Sequence, residues 1–282
     1  MNYKNIDTLM DILDLLLFYI RQGARFIRLD AIGFLWKELG TTCMNLPQTH
    51  ECIRLMRWLI EQVDESAVLI TETNIPHEEN ISYFGKAFDQ AHMVYQFPLP
   101  PLVVYSFLAG DVTKLLDWYK ELVMPEKGAT FFNFLASHDG IGLRPVEGIL
   151  AEDDLALMER ATLERGGKIS YRNLADGSRK PYELNISLMS LLCGDLDDME
   201  MKVNRFLASQ AILLSVAGVP GFDAVKMAKA MDVFVGLGTV LLSTNDTAER
   251  ERRKLYGRAG EYRYNKTKKL FEYRVPSNFW LA

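Results

Sequence analysis

Short, dense apolar runs alternate along this chain with longer stretches of helical periodicity. Residues 25–32 (RFIRLDAI), 67–71 (AVLIT), 92–97 (HMVYQF), 130–136 (TFFNFLA) and 211–217 read as strands. Each is short and apolar, as strands of a parallel sheet buried on both faces must be. Between them, residues 5–21 form an amphipathic pattern stopped by Gly23, and 47–64 form another with Pro47 in its first turn. Residues 99–122, 151–164 and 198–210 are also read as helical, and the polar stretch 166–185 as a loop or hairpin. The fifth strand is expected to stop at Gly218-Val219-Pro220-Gly221. Strand–helix–strand order implies parallel strands joined by helical crossovers. A doubly wound sheet and a (β/α) barrel both satisfy it. No glycine-rich loop follows a strand, which counts against a nucleotide-binding sheet.

The 282 residues suit one large α/β domain or two ordinary ones. A 49% hydrophobic and 24% charged composition excludes disordered and fibrous classes. The net charge of −5 argues against nucleic acid as a partner. The apolar run 15–20 follows Asp11 and Asp14 and is too short for a membrane span, so no membrane partner and a cytoplasmic location are expected. Cys43, Cys52 and Cys193 match no metal spacing and are expected as reduced, mostly buried thiols. No metal site is expected either, since His77, Glu78 and Glu79 lack a second histidine at helical spacing.

Three strands run into acids: Asp30 with Arg28 two residues earlier, Glu72, and Asp139 preceded by His138. The spacings leave room for one crossover and then two. In a (β/α) barrel the C-terminal strand ends carry the chemistry. Ionised groups directly after buried strands are costly unless they find partners or a task. Three acids meeting at one barrel mouth supply a nucleophile, an acid/base and a third charge for a cationic transition state, which is what cleaving a glycosidic bond with retention requires. Helix N-caps in βα loops are the plainer explanation for any single one of them. Phe34 and Trp36 either wall a sugar pocket or pack in the core.

The motifs Phe26-Ile27-Arg28-Leu29-Asp30-Ala31-Ile32-Gly33, Thr71-Glu72-Thr73-Asn74 and Ser137-His138-Asp139-Gly140 resemble the catalytic motifs of the alpha-amylase superfamily of glycoside hydrolases. Residues 34–51, 71–85 and 131–150 are similar to the branch that holds sucrose phosphorylase and glucosylglycerate phosphorylase, nearer the second. The resemblance covers roughly residues 1–221. It implies that Asp30 is the nucleophile, Glu72 the general acid/base and Asp139 the transition-state stabiliser, with Arg28 and His138 touching the glucosyl ring. Lys180, Pro181, Tyr182 and Glu183 stand where that branch has part of its acceptor and phosphate site, with Glu183 in place of the usual glutamine. Arg179 and Lys180 are either anion ligands or exposed loop cations.

The fold implied is an incomplete (β/α)8 TIM barrel holding about the fourth to eighth βα units. The family's first three units, with an Asp and a His that grip the sugar, are not found. Residues 1–221 are expected as the partial catalytic domain, with a loop insertion over about 149–190, and 222–282 as a divergent segment. In that segment residues 250–269 hold nine Lys or Arg. The implied activity is a retaining glucoside phosphorylase acting on an α-glucoside, with inorganic phosphate as co-substrate and no cofactor. A hydrolase of the same superfamily and a catalytically incomplete fragment, self-associating through exposed barrel edges, stay open as alternatives.

Overall fold

A computed structural model describes residues 1–126, 128–174, 176–220, 261–265 and 270–274. The chain divides into two compact units, Met1–Ala224 and Val225–Ala282.

The first unit opens with helix α1 (Ile6–Arg21), capped by the Asn5 side chain, which accepts from the Asp7 N–H. Leu13, Leu16 and Ile20, three and four residues apart, form its buried face. Strand β1 (Phe26–Leu29) follows, then α2 (Pro47–Val63), β2 (Val68–Thr71), α3 (His77–Ile81) and β3 (Met93–Tyr95). The stretch read as one helix over 99–122 is two. Gly110, with φ of 67°, adopts a left-handed conformation that ends α4 (Leu99–Ala109), and α5 (Thr113–Glu121) begins afresh. Strand β4 (Thr130–Asn133) comes next.

The chain then leaves the sheet for an excursion. It comprises β5 (Ile141–Gly142), α6 (Glu152–Glu164), β6 (Lys168–Asn173), β7 (Arg179–Asn185), α7 (Leu188–Cys193) and α8 (Met199–Ser215). It returns as β8 (Val219–Pro220), which pairs with β4. In the second unit β9 (Glu261–Asn265) and β10 (Leu270–Arg274) form an antiparallel pair. The rest of the basic stretch 250–269, and of 222–282, lies outside the described residues.

The fifth strand differs from the sequence reading. Residues 211–215 continue α8, and the strand is Val219–Pro220. A short run such as Ala-Ile-Leu-Leu has no period that separates buried strand from buried helix. Alanine and leucine are strong helix formers, and the helix nucleated at the Asp198 cap runs through them.

The main sheet has the order β1-β2-β3-β4-β8, with every pair parallel. Its strands follow sequence order with no reversal, so the sheet has no switch point. That is barrel winding rather than the double winding of an open α/β sheet. All five C-terminal ends therefore lie along one rim. Leu69, Val94 and Phe131 are fully buried beneath it, in a core shared with α1 and α2. A second core packs α4 and α5 against the excursion's α6, α7 and part of α8. There the antiparallel sheet β5-β7-β6 forms, with the 166–185 stretch as its β6–β7 hairpin. Pairing of Ile141 with Leu184 and of Gly142 with Glu183 ties this sheet to the loop leaving β4. Cys52 and Cys193 are buried, Cys43 is half-buried, and all three are free thiols. No helix among the described residues is long and apolar enough to cross a membrane.

Candidate active site

Alternation along β1 puts Arg28 and Asp30 on the same side. Arg28 Nη1 donates to Asp30 Oδ1 at 2.5 Å, its Nη2 lies 3.6 Å from Glu72 Oε2, and its Nε donates to the Tyr95 hydroxyl at 3.1 Å. One guanidinium thus ties the ends of three successive strands. Its planar fork suits this task in a way an ammonium would not.

Ala31 has φ 46° and ψ 37°, a left-handed conformation that an L-residue adopts at a cost of about 1–2 kcal/mol. The turn directs its N–H to Glu72 Oε2 at 3.0 Å. Backbone strain thus sits at the site, aiming one carboxylate while Asp30 stays 69% exposed at the rim.

Glu72 is the contrasting acid, with its side chain only 12% exposed. Burial pushes its pKa up. The Ala31 N–H and the Arg28 charge pull it back, and the charges of Asp30 and Asp139 push it up again. A carboxyl whose proton is held more firmly than usual beside an exposed carboxylate is the pairing that divides acid and nucleophile roles between two acids.

Asp139 lies on the loop beyond β4. Its N–H donates to Ser137 Oγ at 3.1 Å, and its Oδ2 is 3.4 Å from His138 Nε2. Asp139 faces a cleft of about 310 Å³ that also exposes Arg28, Asp30, Glu72, Tyr182 and Glu183. Phe34, Phe97 and Phe134 supply apolar walls. Trp36 packs against the core instead.

His138, Lys180 and Pro181 do not line this cleft. His138 sits beside Asp139 with its ring half-exposed. The β7 register explains the other two. The half of β7 that pairs with β5 carries Tyr182 and Glu183 to the cleft. The half carrying Lys180 and Arg179 pairs with Arg172 and Asn173 toward the hairpin tip. There Lys180 is exposed, and Arg179 stacks over the Tyr171 ring at 5.1 Å. Neither Arg179 nor Lys180 is among the residues that line the cleft, and of the two alternatives this arrangement is that of exposed loop cations.

Tyr95, Arg144 and Met44 line the cleft without a role in the sequence reading, and Asn74 enters that reading only as part of the Glu72 motif. Tyr95 sits in an apolar run where any aromatic reads as core. Arg144 lies past the Asp139 motif with no neighbour to mark it. Asn74 approaches Gly142 so closely that a Cβ there would fall 2.5 Å from Asn74 Nδ2. Met44 comes from the loop before α2.

The remaining histidines are structural. His92 Nδ1 accepts from the Leu69 N–H at 3.0 Å, and burial lowers its pKa to about 4. His50 stacks on Tyr83 and pairs with Gln90. His77 packs between Trp118 and Phe131. Among the described residues no group of three or more His, Cys, Asp or Glu is arranged to hold a metal ion.

The chain is 48% identical over 223 residues to the glucosylglycerate phosphorylase of Allomeiothermus silvanus, covering 78% of this chain and 40% of that protein. It is 46% identical over 220 residues to the glucosylglycerate phosphorylase of Escherichia coli, covering 78% and 39%. The chain therefore spans about 40% of the length of the curated relatives it matches. The crystal structure of sucrose 6F-phosphate phosphorylase from Thermoanaerobacter thermosaccharolyticum superposes with a TM-score of 0.61 at 22% identity, covering 78% of this chain and 43% of that one. That likeness identifies the five-stranded sheet as part of a (β/α)8 barrel. No protein-family model matches the chain.

Proposed function

We propose that this chain carries the catalytic half-site of a retaining glucoside phosphorylase of the alpha-amylase superfamily, a reading supported by its 46–48% identity, over 220 to 223 residues, to glucosylglycerate phosphorylases. The substrate is an α-glucoside of a small hydroxy acid such as glycerate, and the second substrate is inorganic phosphate. The observation that carries this reading is the Arg28 clamp. One guanidinium holds an exposed carboxylate at 2.5 Å and a buried carboxyl, whose pKa burial raises, at 3.6 Å on adjacent strand ends.

Asp30 is the nucleophile. Its carboxylate attacks the anomeric carbon while Glu72 gives its proton to the departing oxygen, which takes the bonding electron pair. A glucosyl ester forms on Asp30. Phosphate oxygen then attacks the same carbon, the ester bond breaks, the Asp30 carboxylate is regenerated, and Glu72 takes up the phosphate proton. Two inversions give net retention and release α-glucose 1-phosphate. Asp139 faces the cationic transition state from the opposite loop, and its negative charge stabilises it. Choosing phosphate over about 55 M water requires fixed donors at the nucleophile's position and a cleft closed to solvent.

The test is phosphate release from α-glucose 1-phosphate by the purified chain, offered glycerate, glycerol or fructose. Release that depends on glycerate and falls below about a hundredth in Asp30→Asn is the expected result. Formation of free glucose without dependence on any acceptor would contradict the phosphorylase reading in favour of hydrolysis.

A further inference from the structure

The cleft carries two guanidinium groups, and they differ in one respect. Arg28 is engaged by Asp30, Glu72 and Tyr95. Arg144 forms no ion pair among the described residues. Among the described residues its Nη1 approaches the Met44 sulfur alone, at 4.0 Å, and its buried Nε has no hydrogen-bond partner. An unsatisfied buried donor is expensive, more so when charged, and native proteins keep few of them. The cost is harder to explain in a cleft that also exposes four carboxylates, Asp30, Glu72, Asp139 and Glu183.

The backbone around Arg144 is fixed. Arg144 begins a short 3-10 turn, Arg144–Val146, directly after β5, and Pro145 and Val146 are buried. The Leu143 N–H donates to the Tyr182 carbonyl at 2.9 Å, which joins this turn to the strand that carries Tyr182 into the cleft. Arg144 and Tyr182 line the same cleft, where burial raises the Tyr182 pKa and the guanidinium charge opposes that rise. An arginine held on a rigid turn, lining the same cleft as a phenol and paired with no carboxylate among the described residues, has the chemistry to receive a bidentate oxyanion.

We propose that Arg144, with Tyr182 beside it, is the oxyanion-binding corner of this cleft. The proposal rests on the phosphorylase reading above and adds to it a specificity residue. In a double displacement the departing acceptor and the incoming phosphate occupy the same place in turn, on the side where Glu72 moves the proton. A hydroxy-acid carboxylate and a phosphate share a fork of two oxygens. One arginine therefore serves both half-reactions, holding the carboxylate of the leaving acceptor first and the phosphate next. A neutral acceptor gains nothing from it. Because the surrounding carboxylates repel anions, the affinity depends on this one cation and weakens with added salt.

Calorimetric titration of inorganic phosphate, glycerate and glycerol into the whole chain tests this, with Arg144→Ala, Arg144→Gln and Arg179→Ala compared after each variant is checked for a cooperative melt. The expected result is binding of both anions by the unmodified chain, about tenfold or more weaker in Arg144→Ala and Arg144→Gln, unchanged in Arg179→Ala, and no effect on glycerol. A loss confined to one anion would overturn the shared use and assign Arg144 to that anion alone. Unchanged binding in the Arg144 variants, or no binding of either anion by the unmodified chain, would overturn the proposal. A chain that binds both anions through Arg144 yet forms no α-glucose 1-phosphate would sink the phosphorylase reading and leave this assignment standing.

Discussion

Arg28→Met removes the guanidinium that joins three strand ends while keeping most of the apolar stem. The hydrogen bond to the Tyr95 hydroxyl at 3.1 Å has a charged donor and is worth about 1.5–3 kcal/mol. The pair with Asp30 is close, but Asp30 is mostly exposed, so it adds only about 0–1 kcal/mol. The pair with Glu72 at 3.6 Å adds to this, because that carboxyl is buried. The expected loss at pH 7 is about 2–4 kcal/mol, or roughly 5–12 °C in Tm for a unit of this size. The Glu72 share has a pH signature. Burial raises the Glu72 pKa and Arg28 opposes that rise, so in the variant the proton is held still more firmly. Where Glu72 is protonated in both proteins, its pairing with Arg28 contributes nothing. The deficit should therefore shrink as pH falls below the Glu72 pKa and be complete above it. Thermal melts of the unmodified chain, Arg28→Met, Glu72→Gln and the double variant at pH 7 and pH 4 measure this, with an expected coupling of about 0.5–3 kcal/mol at pH 7. An equal deficit at both pH values together with coupling below about 0.3 kcal/mol would refute the assigned clamp.

Two further outcomes follow from the same geometry. Glu72→Gln should slow turnover of glucosides with poor leaving groups by about 10²–10⁴-fold while sparing α-glucosyl fluoride, as steady-state rates across a leaving-group series will report; a uniform loss would remove the acid role. Gly142→Ala should destabilise the first unit by about 1–3 kcal/mol, because its Cβ meets Asn74 Nδ2 at 2.5 Å, and Asn74→Ala should restore part of the loss in a thermal melt.

Much of the site was legible because strand ends announce themselves. Asp30 directly follows the apolar strand Phe26–Leu29 and Glu72 directly follows Val68–Thr71, so an acid at each is visible without a structure. Asp139 was reached less directly, since β4 stops at Asn133 and a loop carries the carboxylate back. Tyr95 was hidden because an aromatic within MVY reads as packing until Arg28 is seen beneath its hydroxyl. The strained Ala31 leaves no trace, since alanine advertises no positive φ. For Lys180 and Arg179 the sequence leaves two roles open, anion ligand and exposed loop cation. Hairpin register decides which end of β7 reaches the cleft, and composition carries no information about register. The shift of the fifth strand from 211–217 to Val219–Pro220 has the same root, as a short apolar run takes its conformation from the helix already growing into it.

The central claim is that Asp30 becomes covalently glucosylated, and it can be observed without completed turnover. Glu72→Gln incubated with α-glucosyl fluoride, quenched in acid and mapped by peptide mass spectrometry, should carry one glucosyl unit on the peptide containing Asp30, and Asp30→Asn should carry none. A folded chain that accumulates no adduct, or carries it at another carboxylate, would contradict the assignment.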